Sequence, residues 1–160
     1  MGFHIAGFLF PTLILLPNLL FFSYPPKDVQ SEKAKAPIWL TILENAGRII
    51  CFLYPIVYGT DAAAALISGS MMMYLMAAFI LVYYILWARY FVHNRTFAFL
   101  FRPLFYLPVP MAVFPAAYFL TLGLLLQSAF MMVAAIAFAI SHISISLITY
   151  RKLKKSGSLV

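Results

Sequence analysis

Residues 37–58 read PIWLTILENAGRIICFLYPIVY and carry two charged side chains, Glu44 and Arg48, in an otherwise mostly apolar stretch. A helix needs about 20 mostly apolar residues to cross the hydrocarbon core of a bilayer, and this segment has that length. The proline at its first position suits the first turn of a helix, where the backbone N–H has no intrahelical partner. We therefore predict a transmembrane helix over residues 37–58.

The composition of the whole chain agrees with a membrane protein. Of the 160 residues, 65% are hydrophobic and 9% are charged, with a mean hydropathy of +0.99. Soluble domains carry about 25% charged residues, and a soluble domain of this size could not bury so much apolar surface. The abundant aromatic residues, among them Tyr83, Tyr84 and Trp87, are predicted to form an interfacial belt. We predict an all-α integral membrane protein of a single domain.

Four more apolar runs accompany the segment at residues 37–58. The predicted spans are residues 4–23, 37–58, 62–90, 104–126 and 129–150, and a basic tail follows at 151–160. Pro11 and Pro17 interrupt the first run, which membrane helices tolerate when neighbouring groups satisfy the freed carbonyls. Pro108, Pro110 and Pro115 predict a kink in the first half of the fourth span. The sequence therefore predicts a bundle of about five transmembrane helices.

The distribution of basic residues predicts the orientation of this bundle. All of the 11 Lys and Arg residues except Arg48 lie at three places, the first loop, the third loop and the tail. They are Lys27, Lys33, Lys35, Arg89, Arg95, Arg102, Arg151, Lys152, Lys154 and Lys155. Basic residues near membrane ends stay in the cytoplasm. Because five spans put all three places on one side, we predict an outside N-terminus and a cytoplasmic C-terminus, in a bacterial-type inner membrane.

The same basic residues indicate the partners of the chain. Arg89, Arg95 and Arg102 lie in or beside an aromatic segment at residues 91–102, and we expect them to contact anionic lipid headgroups. They form no basic face on a soluble domain, so nucleic acid is not an expected partner. Since five helices enclose little volume, we expect a homo-oligomer or a subunit of a larger membrane complex.

No metal site or cofactor is predicted. The three histidines lie in separate segments without the spacing of metal ligands. Cys51 is the single cysteine, so it can form no disulfide within the chain.

A cluster of polar residues inside the second span is the first candidate site. Glu44 and Arg48 are four residues apart, so they lie on the same side of a helix and can pair, and Asn45 extends that side. An arginine at the centre of a membrane helix costs about 2.5–3.5 kcal/mol on insertion scales and usually faces the bundle or water. The pairing of these charges predicts either a contact that fixes helix packing or a binding site.

Two other spans place polar residues at a similar depth. Counted at about 1.5 Å per residue, His142 in the fifth span lies as far from the basic end as Glu44 does. Ser141 adjoins His142, and Asn18 in the first span lies slightly nearer that end. We predict that Glu44 and His142 face a shared polar cavity that is open to the cytoplasm.

Three functions remain open from the sequence. The polar residues that lie at a similar depth in the first, second and fifth spans form a polar layer. This layer favours a non-enzymatic protein that binds or passes a small solute or a proton. An accessory or structural subunit without a site of its own is the second possibility. The third is a lipid-modifying membrane enzyme with Glu44 or His142 as general base, although the chain carries no catalytic motif.

Overall fold

The computed structural model describes residues 2–28, 35–59 and 70–159, and within them the chain forms five α-helices. They are α1 (Ile5–Ser23), α2 (Ile38–Tyr58), α3 (Met71–Val92), α4 (Pro110–Leu125) and α5 (Ala129–Lys155), with a 3-10 turn at Phe97–Leu100. Of these, α1, α2, α3 and α5 are long and apolar enough to cross a membrane, and α4 is a shorter apolar helix. The predicted class of an all-α, multi-pass membrane protein is confirmed.

The helix limits follow the predicted spans closely at three places. Helices α1 and α2 each begin one residue later than predicted and end where predicted. Helix α5 begins as predicted and continues to Lys155, so the first half of the basic tail is helical. The start of the third span at residues 62–69, the turn at 60–61 and part of the first loop, residues 29–34, lie outside the described residues.

The fourth span differs from the prediction, because its helix begins at Pro110 and not near residue 104. Leu104 and Leu107 close a turn with two backbone hydrogen bonds of 3.1 and 3.0 Å. A residue that precedes a proline is pushed out of the helical region, and Val109, between two prolines, has a φ of +46°. Pro110 then fits the first position of a new helix. The prolines therefore delay the start of the helix, where only a kink was expected.

Helix α5 packs against α2 and α4, α3 packs against α4, and α1 lies against α2 and α3. Helices α2 and α5 approach closely at Gly47, where an added Cβ would lie 2.9 Å from the backbone nitrogen of Phe138. Small residues allow membrane helices to approach in this way. The two helices run antiparallel, and the contact at Gly47 brings the polar residues of α2 against α5.

Two of the basic segments meet at one end of the bundle. The Lys27 backbone N–H donates to the Arg95 carbonyl at 3.1 Å. The Phe97 backbone N–H donates to Asp28 Oδ1 at 2.7 Å. Since α5 runs antiparallel to α2, its basic C-terminal turns lie at the end where α2 begins, which is this same end.

The weakly charged connections meet at the opposite end. The His4 backbone N–H donates to the Ile56 carbonyl at 2.9 Å, and the Ser128 hydroxyl donates to the Tyr54 hydroxyl at 2.8 Å. Helix α4 therefore runs from the basic end to the end that contains the turn at Gln127. Five membrane passes would bring the same connections together at each end of the bundle. The side of the membrane that each end faces stays a prediction.

One proline in α1 has its freed carbonyl satisfied by a neighbouring helix. Pro17 has no N–H to donate to the carbonyl of Leu13, four residues earlier in the helix. The hydroxyl of Tyr84 on α3 donates to that carbonyl at 2.6 Å. The contact fixes α1 against α3 beside the polar layer.

Candidate functional site

The centre of the candidate site is Glu44, which receives two cationic or polar side chains on one oxygen. Its Oε1 accepts a hydrogen bond from the guanidinium of Arg48 and lies 2.8 Å from Nδ1 of His142 on α5. Because a carboxylate can only accept, Nδ1 of His142 carries the hydrogen in this contact. We call these three residues the Glu44 cluster.

The backbone explains why these side chains meet. Glu44 and Arg48 are one helical turn apart on α2, and side chains lean toward the N-terminal end of a helix, which directs Arg48 back toward Glu44. Gly47 lets α5 approach closely enough for His142 to reach the carboxylate.

The aromatic ring of Phe138 lies against the Glu44 cluster. The ring of Phe138 stacks on His142 with centroids 4.9 Å apart and an interplanar angle of 15°. The guanidinium carbon of Arg48 lies 6.0 Å from the centroid of the same ring, at the outer limit of a cation–π contact. Phe138 therefore packs against His142 and lies near Arg48.

The cluster borders a cavity of about 610 Å³ to which all five helices contribute. Arg48 and His142 line it, whereas Glu44 lies behind them. The exposed side-chain fractions follow this arrangement, at 43% for Arg48, 23% for His142 and 12% for Glu44. Most of the remaining wall is apolar, and other polar side chains in it come from Asn18, Tyr83, Trp87 and Ser146. The cation of the cluster thus faces the cavity, and its counter-ion is shielded.

A second polar group on the wall consists of the predicted residue Asn18 together with Tyr83 and Trp87, which were not assigned to the site from the sequence. The Tyr83 hydroxyl donates to Oδ1 of Asn18 at 3.2 Å. Beside it, the buried indole N–H of Trp87 is close to the Tyr83 hydroxyl but has no partner in hydrogen-bond geometry within the described chain. The sequence assigned Tyr83 and Trp87 to an interfacial belt, but the structure buries both. Tyr83, Trp87 and Tyr90 recur every three to four residues, and this spacing is the signal that places them on one face.

Two of the predicted site residues belong neither to the Glu44 cluster nor to the cavity wall. Ser141 is fully buried, but its hydroxyl donates to the carbonyls of Ala137 and Phe138 in its own helix, at 2.7 and 3.1 Å. Asn45 is exposed, and the described residues include no hydrogen-bond partner for its side chain. One residue along a helix turns the side chain by about 100°, which is why each lies away from its neighbour in the cluster.

The three arginines predicted to contact lipid headgroups have different surroundings. Arg89 donates to the backbone carbonyls of Arg102 and Pro103, at 2.8 and 3.3 Å, and so ties the third loop to α3. The guanidinium of Arg95 lies 5.5 Å from the ring centroid of Tyr24. Only Arg102 among the three is exposed. Their contact with lipid headgroups stays a prediction.

The described residues contain no group of three or more His, Cys, Asp or Glu side chains that could hold a metal ion. The candidate site is therefore one carboxylate, one guanidinium and one imidazole at the wall of a largely apolar cavity. Comparison of this chain with known protein families, with curated proteins and with solved structures finds no match.

Proposed function

We propose that this protein is a non-enzymatic, multi-pass membrane protein that binds a small solute in the cavity beside the Glu44 cluster. The observation that carries the proposal is the position of Arg48, which is paired with Glu44 yet remains 43% exposed at the cavity wall. A polar group held at an apolar wall is the usual arrangement of a ligand site, because a few polar contacts fix the orientation of the ligand.

The charges of the cluster suggest that binding is linked to a proton. A charged Glu44 and a charged Arg48 cancel, so the cluster is neutral when His142 is neutral. A second proton on the His142 ring would add one positive charge beside the cavity. An anionic solute would therefore bind together with a proton, and the cluster would in this way couple the passage of the solute to that of the proton.

The proposed orientation follows from the basic end of the bundle. With that end in the cytoplasm of a bacterial-type inner membrane, the cluster lies in the inner half of the bilayer and the cavity serves the cytoplasmic side. A homo-oligomer, or a larger complex, would give the five helices further neighbours within the membrane.

A thermal-stability screen of the purified protein tests the proposal, because a ligand of the folded state must stabilise it. The screen compares a panel of lipids and a panel of water-soluble solutes on the wild type and on the double variant Glu44→Gln, Arg48→Leu. We expect a compound that raises the Tm of the wild type and leaves that of the double variant unchanged. A panel in which no compound stabilises the wild type, or in which both proteins respond equally, would favour an accessory subunit without a site.

A further inference from the structure

We infer that the ligand of this cavity is a single-chain amphiphile with an anionic head, a carboxylate or a phosphate, whose head binds Arg48 and whose chain lies along the apolar wall. This inference rests on the proposed function and names the class of solute. Three features of the cavity carry it: the donors of Arg48, the apolar wall, and the side on which the wall meets the third loop.

The head of the ligand is assigned from the guanidinium of Arg48. A guanidinium has five N–H donors in a planar fork that matches a carboxylate or a phosphate. Within the described residues, this guanidinium donates to Glu44. Arg48 and His142 both line the cavity, so the further donors of the guanidinium, together with the His142 ring when its second nitrogen carries a proton, are available to a head group there. A cationic head would be repelled at the same place.

The chain of the ligand is assigned from the remainder of the wall. Ile14, Phe119 and Pro115 contribute apolar surface at the deeper side of the cavity. A sugar or another solute with many hydroxyl groups would lose hydrogen bonds to water that such a wall cannot replace. The indole of Trp87, which is buried at the wall, adds aromatic surface against which the chain can lie. The volume of about 610 Å³ is within the range of cavities that enclose drug-sized molecules.

The position of the cavity suits a molecule that arrives from the bilayer. Its wall extends to Leu100 and Phe101 in the third loop and to Val109 at the start of α4. These residues lie at the basic end of the bundle, where headgroups of anionic amphiphiles gather. An amphiphile in that leaflet can therefore reach Arg48 without leaving the membrane for water.

The two tryptophans of the chain make the inference directly testable. Trp39 is 60% exposed at the start of α2, whereas Trp87 is buried at the cavity wall. The variant Trp39→Phe therefore leaves Trp87 as the single tryptophan fluorophore, which a bromine atom quenches on contact. The probes are 11-bromoundecanoate and 11-bromoundecyl phosphate, with 11-bromoundecanol and 11-bromoundecyl-trimethylammonium as matched uncharged and cationic controls. Acetate and inorganic phosphate serve as heads without a chain.

Both anionic probes are expected to quench Trp87 saturably at concentrations about tenfold or more below those of the alcohol and the cation, since a charge-assisted contact changes affinity by that factor. Acetate and inorganic phosphate should not displace them at equal concentration. Stronger quenching by one of the two anions decides between a carboxylate and a phosphate head. Equal quenching by the anions and the alcohol overturns the inference.

Variants exclude non-specific partition into the detergent micelle. In the Trp39→Phe background, Glu44→Gln with Arg48→Leu should remove the preference for anions, and Arg48→Lys should keep part of it. Ala112→Phe, which fills the cavity from α4, should abolish saturable quenching by every probe. If all of these variants keep the preference for anions, a head site at Arg48 is contradicted. If a water-soluble solute stabilises the protein but no brominated anion binds, the inference fails and the proposed function stands; if neither is found, both fail.

Discussion

Substitution of Glu44 by glutamine tests whether the cluster is held together by charge. The glutamine side chain would keep an oxygen that can accept from Arg48 and His142, so the hydrogen bonds can persist and only the negative charge is removed. The guanidinium of Arg48 would then lack its counter-ion next to an apolar wall. The same substitution made together with Arg48→Leu removes both charges and leaves no stranded cation.

The magnitude of the effect follows from the exposure of the pair. Removal of one partner of a fully buried ion pair costs about 3–5 kcal/mol, whereas polar contacts within membrane proteins average about 0.6 kcal/mol with a maximum near 1.7 kcal/mol. Because the side chain of Arg48 is 43% exposed and that of Glu44 is 12% exposed, the cost should fall between these limits. We expect Glu44→Gln to lower the free energy of unfolding by about 1–2 kcal/mol, and the double variant to recover about 1 kcal/mol of it.

The measurement is reversible unfolding in mixed detergent micelles, followed by circular dichroism. Asn45→Leu is the matched control, because Asn45 is the next residue on α2 and is exposed; its free energy of unfolding should change by less than about 0.5 kcal/mol. A double variant that is no more stable than Glu44→Gln alone would refute the reasoning, since it would show that Arg48 does not depend on Glu44.

Three further predictions concern the bundle. In a cysteine-free background, a cysteine introduced at Thr60 should react with a membrane-impermeant thiol reagent in intact cells and one at Ser156 should not; the opposite result, or labelling at both positions, contradicts the orientation. Gly47→Ala should lower the free energy of unfolding by about 1–3 kcal/mol, because the added Cβ meets the backbone of α5. An unchanged unfolding midpoint would show that α2 and α5 can move apart to accommodate it. Tyr84→Phe should cost about 0.5–1.5 kcal/mol, and less in a Pro17→Ala background, where the restored N–H replaces the hydroxyl; equal costs in both backgrounds would show that the proline does not create the need for this hydroxyl.

Hydrophobicity predicted the helices well because a membrane span is defined by length and apolar composition. The limits of α1 and α2 and the start of α5 lie where polar or proline-containing segments interrupt the apolar runs, whereas α5 continues through the charged residues of the tail to Lys155. The start of α4 was missed because residues 104–109 are as apolar as the helix that follows them. Only local backbone restriction by Pro108 and Pro110 excludes them from the helix, and hydrophobicity does not register that restriction.

The candidate site was predictable where helix geometry determines it. The spacing of Glu44 and Arg48 fixes their contact within one helix, and the equal depth of His142 follows from counting residues between membrane ends. The contribution of Tyr83 and Trp87 was missed for a physical reason. In a membrane, both the lipid-facing and the buried sides of a helix are apolar, so the periodicity of α3 does not show which side its aromatic residues face.

The exposure of Arg48 distinguishes a ligand-binding site from a charged pair that only stabilises helix packing. A charged pair that served stability alone could be replaced by apolar residues of similar volume at little or no cost. Where such a pair is retained for packing, its hydrogen-bonding groups are expected to be satisfied within the protein. In this bundle Glu44 is shielded and receives both Arg48 and His142, whereas Arg48 lines a cavity with an otherwise mostly apolar wall. The carboxylate thus holds the cation at the wall, and the cation is left with donors that a ligand from the membrane can satisfy.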